Sequence, residues 1–207
     1  MVLKAIKHNI DSFISDFHQI NASRKIILNS FSEYILDKIK LNKQINLTFI
    51  CTHNSRRSQM CQVWAKSAAE YFELKNIFCF SGGTEVTVFN YRAVKALSRF
   101  GFIIDKINNS KNPKYSVKYS EEKNPIEAFS KVYNSKFNPQ KDYIAVMTCS
   151  EAEKNCPVVF GAEKRFSIRY NDPKESDGTN VEEREYFERC REIAMEMVYV
   201  FKAVKEG

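Results

Sequence analysis

No apolar run in the sequence approaches the roughly 18 residues of a membrane-spanning helix, so no membrane partner is expected. The opening residues, Met1-Val2-Leu3-Lys4-Ala5-Ile6-Lys7-His8, lack the apolar core of a secretory signal, which makes the cytoplasm the expected location. Cysteine and histidine show none of the spacings of zinc fingers or ribbons, and no metal is expected. Internal repeats and low-complexity tracts are missing too. No nucleic-acid motif is recognisable. The basic residues are scattered among acids, so the net charge of +7 is accounted for by solubility or by an anionic substrate rather than by a nucleic acid.

What is present fits one well-packed domain with an accessory segment: 207 residues, 43% hydrophobic and 28% charged. Six cysteines, at positions 51, 61, 79, 149, 156 and 190, argue in a cytoplasmic chain for free thiols, some of them reactive, and against a disulfide framework.

The chain is organised around Asn46-Leu47-Thr48-Phe49-Ile50-Cys51-Thr52-His53-Asn54-Ser55-Arg56-Arg57-Ser58-Gln59-Met60. Leu47 to Ile50 is a short apolar run rich in β-formers, and from Arg57 onward Met60, Val63, Trp64 and Ala68 recur at helical spacing. A strand, a tight loop and a helix start therefore follow one another. A cysteine ends the strand, an arginine comes after five intervening residues, and a serine is next. Amides of Thr52, His53, Asn54, Ser55, Arg56, Arg57 and Ser58, in a loop folded back on itself and a helix N-terminus, would form a concave anion nest. The same positive field, with Arg57 and the Ser58 hydroxyl, would hold Cys51 as a thiolate. A thiolate facing a cradled tetrahedral anion is a nucleophile aimed at its electrophile. Singly, Cys51 reads as a buried strand-end residue and Arg57 as a surface one; their coincidence with strand, loop and helix favours a site.

Elsewhere the pattern predicts alternating elements. Residues 9–40 read as two helices, a hairpin preceding the first strand. A helix over Arg57 to Leu74 is followed by a strand at Ile77 to Phe80, then Ser81-Gly82-Gly83-Thr84, whose glycines permit close approach to the Cys51 loop. Tyr91 to Phe100 reads as a short helix closed by Gly101, Tyr115 to Tyr119 as a strand and Pro125 to Tyr133 as a helix. Tyr143 to Thr148 is a buried strand ending at Cys149. Lys164 to Tyr170 is another, leading to Asn171-Asp172-Pro173, and a long amphipathic helix closes the chain. Alternating strands and helices imply a parallel α/β sheet. Ligands of such sheets bind beyond the carboxyl ends of the strands, where Cys51, Cys149 and Asp172 would converge.

Cys51 to Met60 resembles the phosphate loop of the low-molecular-weight protein tyrosine phosphatases and of the thioredoxin-coupled arsenate reductases built on the same fold. Asn171-Asp172-Pro173 resembles the late Asp-Pro of that superfamily. Val146 to Pro157 is similar to the reductase segment that bears two redox cysteines, here Cys149 and Cys156, with six residues between them. The resemblance implies the low-molecular-weight phosphatase fold over residues 45–207, with residues 1–44 as an N-terminal helical extension. It implies Cys51 as nucleophile, Arg57 as oxyanion clamp, Asn54 and Ser58 as loop-shaping and thiolate-stabilising groups, and Asp172 as general acid. No cofactor is implied. Two reactions stay open: hydrolysis of a phosphate ester through a cysteinyl-phosphate, and reduction of arsenate. In the second, Cys149 resolves the Cys51 adduct and Cys156 attacks Cys149, leaving a disulfide for a thioredoxin-like reductant.

Four residues depart from the family pattern. His53 stands where glycine is usual, and Arg56 where a small residue or cysteine is common. Gln62 replaces an acidic residue that the reductases associate with a potassium site. Lys174 follows Asp172-Pro173 where the phosphatases carry an aromatic. A helical Glu151 to Asn155 would hold residues seven apart about 10 Å apart, whereas a disulfide needs Cα atoms within about 7 Å. Joining Cys149 to Cys156 therefore requires that segment to unwind.

Overall fold

In the computed structural model, which describes residues 1–155 and 158–207, strand β1 (Ile45–Cys51) is buried almost throughout. Such continuous burial is the mark of a central strand in a parallel sheet, covered on both faces. A one-turn 3-10 segment separates α1 (Lys4–Ser15) from α2 (Ala22–Lys40), which starts where the Asn21 side chain accepts from the Arg24 amide. After β1 come α3 (Arg57–Tyr71), β2 (Ile77–Gly83) and α4 (Tyr91–Arg99). Three short strands follow, β3 (Ile103–Lys106), β4 (Tyr115–Lys118) and β5 (Ile126–Ala128). The chain then runs through β6 (Tyr143–Met147), α5 (Ser150–Asn155), β7 (Ala162–Ser167) and α6 (Glu182–Glu206).

The main sheet is parallel, in the order β2-β1-β6-β7, with Cys51 opposite Gly83 and Ile50 opposite Met147. This is the expected α/β architecture, and it brings the ends of β1, β6 and β7 to one edge. A second, antiparallel sheet joins β3, β4 and β5. Here the structure departs from the helix expected over Pro125 to Tyr133. Ile126–Ala128 pairs with β4, and Val132 then bridges to Gly83 at the edge of the main sheet. Pairing at both places satisfies the backbone without a helix.

α6 packs against α1, α2, α3 and α4. At the centre of this layer lies Trp64, edge-on to Phe13, Phe100 and Phe102, with its indole N–H donating to the Cys190 sulfur at 3.3 Å. Ile6, Ile10, Phe13, Leu28, Phe31 and Ile35 of the first two helices belong to the same continuous core. A bidentate pair at 2.7 Å between Arg24 and the buried Glu196 ties α2 to α6. Among the described residues, no helix is long and apolar enough to cross a membrane.

Candidate active site

β1 ends at Cys51, and the chain curls through five residues before α3 begins at Arg57. The carbonyls of this loop are all engaged by its surroundings. Cys51 O accepts from the Thr84 amide, Thr52 O from the Glu85 amide and Ser55 O from the Asn90 amide. His53 O accepts from the hydroxyls of Thr87 and Ser130, and Asn54 O from the Gln59 amide group. By contrast, the amides of Thr52 to Arg56 have no protein acceptor among the described residues. Carbonyls fastened outward and amides left over are what an anion nest requires.

Asn54 shapes the turn. It adopts a left-handed conformation (φ 45°), which asparagine tolerates better than most residues. Its side chain accepts from the Lys131 amide at 3.0 Å and donates to the Ser58 hydroxyl at 2.9 Å. The Ser58 hydroxyl oxygen lies 3.1 Å from Cys51 Sγ, so its proton is available to the sulfur. Behind the loop, a Cβ on Gly83 would come within 2.6 Å of Thr52 O and 2.7 Å of the Asn54 nitrogen. The expected close approach to the loop is thus made by Gly83, where only glycine fits, whereas Gly82 lies against the Tyr133 backbone.

Arg57 turns toward the ends of the strands. Its guanidinium donates to Tyr170 O at 3.1 Å and to Asp172 Oδ2 at 2.5 Å, while its buried Nε has no partner. Arg56 Nε grips the other carboxylate oxygen of Asp172 at 2.8 Å. Burial opposes ionisation of Asp172, but the charges of Arg57 and Arg56, with hydrogen bonds from Arg56 and the Lys174 amide, outweigh it. The carboxyl is held below its ordinary range.

Cys149 lies two residues beyond the end of β6. It is buried, with its sulfur 3.5 Å from Thr52 Oγ1 and accepting from the Ala152 amide at 3.4 Å. Arg57, Cys149, Glu151, Tyr170, Asp172 and Lys174 line one cavity of about 530 Å³. Two of the three strand-end residues picked out in the sequence, Cys149 and Asp172, therefore line a single cleft, joined there by Arg57 and His53 of the loop that Cys51 opens. Cys156 lies outside the described residues. Ser150–Asn155, between the two cysteines, is helical, as considered in the sequence.

His53 is partly exposed, 3.5 Å from Glu85 Oε2 at the mouth of the cleft. Gln62 is buried away from the cleft and donates to Cys79 O. The thiols of Cys61, Cys79 and Cys190 are pushed up by burial, those of Cys79 and Cys190 to about 12, as befits packing residues. Sequence reasoning missed Gln59, Asn90 and Ser130, which clamp the loop, and the ion pair of Arg56 with Asp172. Gln59, next to the motif, was the one signal within reach.

No protein-family model matches the chain. It is 28% identical over 158 residues to an arsenate reductase of Bacillus licheniformis, covering 76% of this chain and 95% of that relative. It is 30% identical over 146 residues to an arsenate reductase of Bacillus subtilis, covering 70% of this chain and 85% of the relative. The low-molecular-weight protein tyrosine phosphatase of T. tengcongensis shares the fold, with a TM-score of 0.50 at 16% identity over 78% of this chain and 98% of that one. With a cysteine-arginine loop closing the first strand of this sheet and relatives that match over most of their length, the chain belongs to the low-molecular-weight protein tyrosine phosphatase superfamily, on the branch of the arsenate reductases.

Proposed function

We propose that this chain is a thiol-dependent arsenate reductase that uses Cys51 as nucleophile and Cys149 and Cys156 as the resolving pair. The observation that carries the reading is a second thiol at the end of the strand beside β1, its sulfur 3.5 Å from the hydroxyl of the residue after Cys51. Ester hydrolysis has no use for that thiol.

Arsenate enters the cleft and takes the loop amides and the Arg57 guanidinium, whose Nε is free for it. As Arg57 is drawn to the oxyanion, Asp172 loses one of its two cations, becomes easier to protonate, and delivers a proton to the departing oxygen. Cys51 sulfur bonds to arsenic and water leaves. Cys149, as thiolate, then attacks Cys51 sulfur. The S–As bond breaks with its electron pair on arsenic, which falls from As(V) to As(III) and departs as arsenite, and two thiols have become one disulfide. Cys156 attacks Cys149 and frees Cys51, and a thioredoxin-like dithiol reduces the Cys149–Cys156 bond. Such a cycle suits the reducing cytoplasm.

A phosphatase is the second reading, supported by the combination of Cys51, Arg57 and Asp172, which serves hydrolysis unaided. Lys174, where an aromatic would stack on phosphotyrosine, counts against phosphotyrosine as its substrate. The two readings separate in one preparation assayed twice, for aryl phosphate hydrolysis and for arsenate-dependent NADPH oxidation with thioredoxin and its reductase. Cys149→Ser should abolish the second and spare the first. Loss of both together overturns the assignment of Cys149.

A further inference from the structure

A second cavity, of about 300 Å³, lies at the β2 edge of the main sheet and shares no lining residue with the cleft. Phe78, Phe80, Phe129 and Phe137 line it, and two of these rings, Phe78 and Phe137, are about half exposed (43% and 50%). Lys131 is part of the same wall and only 6% exposed, with its Nζ 4.7 Å from the centre of the Phe129 ring. The other charged groups of the cavity have partners. Lys66 on α3 donates to Ile77 O, and Glu127 on β5 is paired at 2.8 Å with Lys114. Lys131 Nζ alone of these has no carboxylate or carbonyl within hydrogen-bonding distance among the described residues. A buried ammonium with no counter-ion is costly unless something supplies one. Burial accordingly pushes this lysine down to about 8, with the Lys114 charge adding to the effect and Glu127 opposing it.

We propose that this cavity is a binding site for a small aromatic carboxylate, whose anionic group pairs with Lys131 and whose ring lies among the four phenylalanines. The volume and the chemistry agree: apolar walls with one converging charge form an ordinary small-molecule site. Nothing in the arsenate or phosphate ester reaction uses this lysine, and the site stands whether or not that reaction is as proposed.

Its position gives it reach. Lys131 donates its amide to Asn54 Oδ1, and Phe129 O accepts from Gln59, which also holds the Asn54 carbonyl. Asn54 in turn donates to Ser58, beside Cys51. An occupant touching Phe129 and Lys131 therefore presses on the residues that fasten the phosphate loop, and the site is an effector site for the thiol.

The test is titration of the full chain with sodium benzoate, followed by amide NMR shifts, with acetate as charge without a ring and benzyl alcohol as ring without a charge. Benzoate should shift Phe80, Phe129, Lys131 and Asn54 together and saturate, and should bind about tenfold or more tightly than either control. Lys131→Met should weaken benzoate by about tenfold or more while leaving benzyl alcohol unaffected. Where that variant does not fold, the unaltered chain decides. Glu127, Lys66, Tyr119 and Cys79 line the same space, with Lys114 over the Phe129 and Phe137 rings; Lys131, pushed down to about 8, loses its charge just above neutrality, so benzoate affinity should fall between neutral pH and about pH 9. Shifts confined to His53, Arg57 and Lys174, an affinity indifferent to pH, or one unchanged in Lys131→Met would each overturn the site. Binding that leaves Asn54 unmoved would overturn its link to the loop.

Discussion

Cys51 and Cys190 are both almost wholly excluded from water, at 3% and 0% exposure, yet they sit in opposite chemistry. Cys190 belongs to the continuous apolar core, where its side chain's hydrogen-bonding contact among the described residues is the Trp64 indole. Cys51 lies against the Ser58 hydroxyl and opens a loop whose amides have no protein acceptor among the described residues. If Cys51 is the nucleophile proposed above, solvent exclusion does not separate a reactive thiol from an inert one. What separates them is whether the surrounding donors are already committed to the protein.

That contrast breaks most visibly if Cys51→Ser keeps any turnover. Both arsenate reduction and aryl phosphate hydrolysis should fall to background in the variant, because oxygen at that position is a far weaker nucleophile. On the other side, Trp64→Ala should cost about 3–5 kcal/mol, read from urea unfolding, while turnover per folded molecule stays as it was. A change in activity at constant stability would show that the aromatic layer and the cleft are one cooperative unit.

Arg56→Ala sharpens the comparison from within the cleft. Burial tends to raise the Asp172 pKa and the two arginines lower it, with the lowering dominant. Removing one arginine lets the carboxyl climb toward its usual range, so more of it is protonated at neutral pH. The alkaline limb of aryl phosphate hydrolysis should move to higher pH, with a rate gain of roughly three- to tenfold near neutrality. The sign for stability is the reverse of that for a raised group. A depressed carboxyl contributes above its unfolded pKa and stops contributing as pH falls through its folded one. Acid should accordingly destabilise the parent more than the variant, which urea midpoints at several pH values would report. The smallest effect is reserved for Cys190→Ala, about 1 kcal/mol with no change in either activity.

Much of the cleft could be read from the chain because its parts are local. Cys51, Asn54, Arg57 and Ser58 sit within eight residues, and strand, loop and helix carry their own periodicities. Of the partners that fasten the loop, the turn at Thr84 was within reach through its glycines, but Glu85, Asn90 and Ser130 were invisible for the opposite reason: they meet the loop only through sheet pairing and the chain beyond it. The helix expected over Pro125 to Tyr133 failed on the same ground. Its apolar residues answer to β4 and to Gly83, partners that no local pattern names. β3 went unremarked because a four-residue strand with mostly exposed positions carries almost no alternation. Within residues 1–44, expected as an N-terminal helical extension, Ile6, Ile10, Phe13, Leu28, Phe31 and Ile35 belong to the same core as the residues that follow.

The two opening helices and α6 stand at opposite ends of the sequence, and α6 is the surface on which both of them rest. During synthesis the former would leave the ribosome long before the latter exists. Until then the side of α2 that rests on α6 stays open, although Phe31 already has Phe166 of β7 to pack on, and Glu196 is still to be made for Arg24. The helical layer can close only once α6 has been made, a long-range step that makes sealing of the core, rather than assembly of the sheet edge, the late event in folding.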